Sequence, residues 1–301
     1  MKSHLIILVI ALTTSGTCFA QLGTPIVQYS GNQLVYNPAY AGIHNTFSVN
    51  LSARHSWLGF PGAPRIINFN GHAPFRDQRH AYGWMFQHDK LGNLSSNSLL
   101  GNYAHKINLN NGILSLGLQA GVLHRGVDWT KIDCVDDWDD PVLQTGYKHH
   151  VNFDANFGVF FTTQTWFLGA SAHHLTNPNY DRTLPNMDNE RQSQMRTQFY
   201  LMTGYCATLN DRWSIRPEAF LRYVHTAPLS LNLGASFHYN QIFGVGMNFR
   251  TGQKTVNFNA HVALSECMRM GYNYGVPYGS IKRYQHGSHE ITINYSLTTN
   301  H

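Results

Sequence analysis

The sequence predicts an all-β transmembrane barrel: one antiparallel sheet of about fourteen strands, closed on itself and preceded by a cleavable export signal. Three observations carry this. Apolar and polar residues alternate with period two over segments of about ten residues, the length a tilted strand needs to cross a bilayer. Charged residues make up 12% of the 301 residues and aromatics 13%; such a charged share is about half that of a soluble domain. Beyond the first twenty residues, no stretch approaches the ~20 apolar residues of a membrane helix.

Residues 1–20 read as a signal peptide, with Lys2 in the n-region and Leu5 to Leu12 as a short apolar h-region. Small residues then lead to cleavage after Ala20, before Gln21. Thr17 before Cys18 speaks against lipidation of that cysteine, which normally follows Gly, Ala or Ser. Residues 21–45 form a periplasmic N-terminal segment, 46–297 the outer-membrane barrel and 298–301 a tail. Strands are expected near 46–57, 64–74, 80–89, 96–108, 112–125, 151–161, 165–174, 196–208, 212–225, 229–239, 242–250, 255–264, 267–275 and 288–297. The alternation is clearest in Thr255 to Leu264. There Val256, Phe258, Ala260, Val262 and Leu264 share one face, and Thr255, Asn257, Asn259 and His261 share the other.

An even strand count puts both termini in the periplasm. The connections then assigned to that side are short: 75–79, 109–111, 162–164, 209–211, 240–241 and 265–266. The long ones, 126–150, 175–195 and 276–287, fall outside. Short turns on one side and long loops on the other are the outer-membrane asymmetry. Trp57, Trp166, Trp213 and Tyr223 fall near strand ends, where interfacial aromatics belong. Arg212, Arg216, Glu218 and Arg222 share one parity and are assigned to the lumen, because a charge facing lipid at mid-depth costs several kcal/mol, roughly 2–4 for Arg or Lys. Pro217 implies a bulge in the ninth strand.

The formal charge of +5 is dispersed, which argues against nucleic acid as a partner. Cys134, Cys206 and Cys267 remain after cleavage; an odd number at wide spacing is neither a disulfide framework nor a zinc pattern. The eighteen histidines include the pairs His149-His150 and His173-His174. Neighbours on an extended strand point to opposite faces, so neither pair chelates while extended. The acidic run Asp133 to Asp140 could hold calcium through oxygen ligands, but it lacks the Gly and Glu positions of an EF-hand and reads better as a solvated outer loop. Ser288, His289 and Glu290 are sequence neighbours that alternate in direction, so they make no convergent triad. Gly244 and Gly246 lie inside a strand and read as relief of crowding in the lumen. No catalytic residue, metal ligand or cofactor site is assigned.

Gln28-Tyr29 is followed by Tyr36-Asn37-Pro38-Ala39-Tyr40-Ala41-Gly42 and then by a strand carrying Arg54 and Trp57. Further blocks recur in order: Gly62-Ala63-Pro64, Asp140-Pro141, His173 to Pro178, Arg216-Pro217, Arg222-Tyr223 and Ser288-His289-Glu290-Ile291. Together they resemble the PorP/SprF family of outer-membrane proteins of the type IX secretion and gliding machinery, over nearly all of the mature chain. Where that family often begins with an Asp-Pro-Gln-Phe-like run, this chain has Gly23 to Val27. The resemblance implies a barrel in the cell outer membrane, embedded in its lipids. Its partners would be periplasmic ring lipoproteins and peptidoglycan-linked proteins and, for some members, a secreted adhesin whose export or anchoring it supports.

Two readings stay open for Gln28 to Gly42: a periplasmic contact surface presenting Tyr29, Tyr36 and Tyr40 as exposed aromatics, or a turn built on Asn37-Pro38 that places the first strand. Ser288, His289 and Glu290 read as the seam between first and last strands. The rival functions are a porin or substrate-selective channel, which needs an open water-filled path, and a barrel hydrolase, which needs a convergent triad.

Overall fold

The computed structural model describes residues 31–128, 130, 147–178, 195–225, 227–278, 282 and 285–298. The export signal, Gln28, Tyr29, the acidic run 133–140 and residues 299–301 lie outside these. Fourteen strands follow in order: β1 Thr46–His55, β2 Arg65–Pro74, β3 His80–Leu91, β4 Leu94–Leu109, β5 Gly112–Asp128, β6 Tyr147–Thr162 and β7 Trp166–His173; then β8 Gln198–Tyr205, resumed at Ala207–Thr208; then β9 Trp213–Val224, β10 Ala227–Tyr239, β11 Phe243–Arg250, β12 Thr255–Ala263, β13 Met268–Pro277 and β14 Ser288–Thr298. Each pairs antiparallel with its neighbours in sequence, and β14 pairs with β1 from Thr46↔Thr298 to His55↔His289. The sheet therefore closes on itself, and neighbouring strands satisfy one another's backbone groups along their paired lengths, as a wall within lipid requires.

Alternation fixes which face looks where, and the result inverts a soluble protein. Phe153 is 60% exposed, Leu118 59% and Phe258 49%, whereas their strand neighbours Asp154, Gln119 and Asn257 are 2%, 1% and 0% exposed. Apolar residues cover the outside and amide side chains fill the inside, as lipid outside and a polar lumen require. The turns 75–79, 110–111, 163–165, 209–212, 240–242 and 264–267 lie at one end of the barrel, and the strand ends that flank the long connections 129–146, 174–197 and 278–287 lie at the other. Aromatic pairs on the outer face mark the turn end: Phe75–Tyr82, Phe161–Trp166 and Trp213–Tyr239, with ring centroids 5.1, 5.2 and 4.9 Å apart.

One local expectation is corrected. Pro217 causes no bulge: it stays in register with Ala235, and the register shift of β9 lies between Arg222 and Val224. On its other side, Ser214↔Thr208 and Glu218↔Gly204 keep one register while the pairing lapses between them. Proline lacks the N–H that the ladder needs there, so the partner strand breaks at Cys206 without gaining a residue.

The outward face of β12 yields a test. Phe258→Arg is expected to lose about 2–4 kcal/mol of assembly free energy at mid-depth, whereas Phe258→Leu keeps an apolar wall. Heat-modifiable gel mobility reads the folded fraction, and equal folding of the two variants would contradict the assignment of faces.

Candidate functional site

The barrel's interior is occupied by its own N-terminal segment. Gln33–Val35 and Pro38–Tyr40 each form one 3-10 turn. Asn37 precedes the second turn in an extended conformation, and its Oδ1 accepts from Ala39 N at 2.9 Å. Pro38 occupies the first turn position, where a missing N–H costs nothing. Gly42 then reverses the chain at φ +66°, where a Cβ would collide with Ala81. Only glycine serves both demands. The apolar side chains Leu34, Val35, Tyr36, Ala39 and Ile43 are all buried.

The segment docks by shape and by polar pairing. Gly117 of β5 and Gly158 of β6 lie side by side in the sheet. A Cβ on Gly117 would overlap the backbone of Pro38 and Ala39, and one on Gly158 would overlap Asn37 and Pro38. Gly169 of β7 makes the same room for the Asn37 amide and the Phe160 ring. Asn37 Nδ2 donates to the carbonyls of Val159 at 2.9 Å and Ala170 at 3.2 Å. Asn102 Nδ2 donates to Pro38 O at 3.0 Å, Lys106 Nζ to Gly42 O at 2.6 Å and Asn70 Nδ2 to Asn32 Oδ1 at 2.9 Å. The Tyr36 carbonyl accepts from Ser171 Oγ and, at 2.8 Å, from His173 Nε2. Its ring lies edge-on to Tyr200 and Phe220, with centroids 5.5 and 4.8 Å away, and Tyr40 meets Phe160 and His72 in the same manner.

This placement corrects two expectations. Residues 32–43 do not extend into the periplasm, and Tyr36 and Tyr40 are not exposed: Tyr36 is 4% exposed. The physical reason is that the segment's apolar side chains and turn amides find both apolar and hydrogen-bonding partners inside a polar lumen, which water alone would not supply. The visible cue is the run of lumen-parity glycines on three adjacent strands, Gly117, Gly158 and Gly169; relief of crowding was expected only at Gly244 and Gly246.

The segment separates cavities at the two ends. On the loop side a cavity of about 140 Å³ is lined by Tyr36, Asp89, Asp154, His173, His174 and Arg222. On the turn side another of about 140 Å³ is lined by Gln33, Tyr40, His44, Phe167 and Arg216. A third, of about 100 Å³, lies beside the segment against Arg216, Glu218, His238, His261 and Arg269. His173 and His174 line one cavity because His174 adopts φ +57°. Each is otherwise engaged, His174 with Asp154 at 2.7 Å and His173 with Tyr36. Among the described residues, no group of three His, Cys, Asp or Glu could hold a metal ion.

The remaining singled-out residues lie at the closure of the barrel. Arg54 Nη1 reaches Glu290 Oε2 at 3.1 Å across β1 and β14, with both side chains buried. Arg54 Nε also donates to Ser56 Oγ at 3.0 Å. Ser288 Oγ accepts from Trp57 N at 3.2 Å. His289, one residue on from Ser288, sits opposite His55 beside Tyr272 on the outer face. These contacts brace a wall; they do not converge on a substrate.

Solved structures with a similar fold include hydrocarbon channels and a toluene transporter. A mutant of the monoaromatic hydrocarbon channel TodX superposes with a TM-score of 0.56 at 10% identity, covering 90% of this chain and 95% of that one. The monoaromatic hydrocarbon channel CymD gives 0.55 at 12% identity, covering 90% and 93%. The Pseudomonas putida toluene transporter TodX gives 0.53 at 10% identity, covering 91% and 95%. At such identity the likeness speaks for the fold alone. No curated protein matches the sequence. A family model described as "Type IX secretion system membrane protein PorP/SprF" matches residues 19–295.

Proposed function

The chain belongs to the PorP/SprF family of type IX secretion system membrane proteins, and from that membership we propose a non-enzymatic outer-membrane component of the secretion and gliding machinery, supporting export or surface anchoring of secreted adhesins. The family match carries this reading. The filled lumen supports it against the rival porin, since Tyr36, Asn37 and Pro38 stand where an open path would run. With both chain ends of the barrel at the turn side, that side faces the periplasm and the long loops face out. Periplasmic ring lipoproteins and peptidoglycan-linked proteins are then the partners for the turn side and for the residues before Gly31, Gln28 and Tyr29 among them.

Crosslinking in intact envelopes followed by purification of the barrel tests this. Periplasmic components of the secretion machinery are expected to co-purify, and deletion of the chain is expected to abolish export of its adhesin. Undiminished export in the deletion strain, together with a uniform loss of small-solute uptake, would favour the porin.

A further inference from the structure

The outer wall carries a cationic cleft that the secretion role does not use. At the loop end, register places His289, His55, Arg65 and Lys90 in one row across β14, β1, β2 and β3. They share the parity of the exposed wall residues Leu51, Ile67 and Phe86. Above them the connection 56–64 forms a lip. The lip is fixed on both flanks: Leu58 N donates to Gly287 O at 2.9 Å, His286 N to Leu58 O at 2.8 Å and Gly92 N to Gly62 O at 2.9 Å. Lip and row enclose a cleft of about 510 Å³ lined by His55, Arg65 and Lys90 below and by Phe60, Pro61 and Ala63 above. That volume falls within the roughly 300–1,000 Å³ of ordinary ligand sites. Among the described residues no carboxylate lines it, and Asp89 beside Lys90 turns to the loop-side cavity of the lumen instead.

Below the row the wall becomes apolar in two steps. The next register row is Ala53, Ile67 and His88, and the one after it Leu51, Phe69 and Phe86. Cations at a membrane rim above an apolar wall suit a ligand with an anionic head and acyl chains. The loop end faces outward in the orientation proposed above, on which this inference rests. We propose that the cleft binds the phosphate of an outer-leaflet glycolipid, with Arg65 and Lys90 holding the phosphate and the acyl chains lying on β1 to β3. Arg supplies a forked pair of donors and Lys a point charge, a combination suited to phosphate oxygens.

The purified full barrel in detergent is titrated with diphosphorylated lipid A, dephosphorylated lipid A, phosphatidylglycerol and inorganic phosphate, and retained lipid is read by native mass spectrometry. Diphosphorylated lipid A is expected to bind best. Arg65→Gln with Lys90→Gln is expected to weaken it at least about tenfold, two charge-assisted contacts being removed, while heat-modifiable mobility stays that of the parent. If that double variant does not fold, Phe60→Asp, which puts a negative charge on the lip, is expected to give the same loss. Equal binding by variant and parent, or equal binding of dephosphorylated lipid A, would overturn the proposal. So would inorganic phosphate binding as tightly as the lipid. Preference for phosphatidylglycerol would also overturn it, and would trace the failure to the orientation and not to the cleft.

Discussion

Gly158→Leu is expected to yield a barrel that inserts normally but conducts, because the change evicts the N-terminal segment from the lumen. The side chain would enter space filled by Asn37 and Pro38. Ordinary overpacking of a core costs about 1–3 kcal/mol, with flexible side chains giving way. Here the obstacle includes a proline ring and a side-chain amide already bonded to Val159 O and Ala170 O, so local relief is poor. The wall itself keeps its pairing, since Gly158 lies between Gly117 and Ser171 in regular register. The cheapest response is for residues 32–43 to leave. Planar-bilayer conductance and protease cleavage within that segment both read its release. Gly101→Leu is the control, because a Cβ added at Gly101 would meet only Ala120 O, at 3.8 Å. A Gly158→Leu barrel as closed and as protease-resistant as its parent would show that the segment is not what fills the lumen.

The barrel was readable in the sequence because its signal is local. Thr255 to Leu264 declares two faces by alternation alone, and most strands of the closed sheet repeat that declaration, the third and eighth less clearly. The expected and observed bounds of β12 differ by one residue at Ala263. The lumen's contents were harder to read because they depend on long-range pairing. Tyr36 meets Tyr200 and Phe220, and nothing near position 36 announces those partners. Turn formers and tyrosines look alike whether a segment is exposed or swallowed. The row that carries the two cations Arg65 and Lys90 has the same origin. His55, Arg65, Lys90 and His289 are scattered along the chain and become neighbours only through register. The secretion role came from the resemblance; no alternation or spacing could supply it.

Arg54→Ala is expected to destabilise the barrel by about 1.5–3 kcal/mol, the usual worth of a hydrogen bond to a charged group, because it takes one donor from a buried carboxylate. Glu290 is fully buried and Arg54 nearly so, so water cannot readily replace the lost guanidinium. The pair joins the first strand to the last, through residues 236 apart in sequence. Backbone pairing alone would tolerate a slipped register there. A slip by one residue, however, would turn Glu290 onto the lipid face and His289 into the lumen. The ion pair therefore selects the register in which β1 and β14 close, with His55 left to face His289 outside. This account makes a second demand. Replacing both partners by methionine removes both charges of the pair and is expected to recover part of the loss, because an apolar pair of similar volume is often neutral. The temperature at which heat-modifiable mobility is lost, measured for parent, Arg54→Ala, Glu290→Gln and the double methionine variant, decides the matter. Single variants as stable as the parent would remove the ion pair from the closure. A double variant no better than Arg54→Ala would mean that the packing of these side chains, and not their charge, holds the first strand to the last.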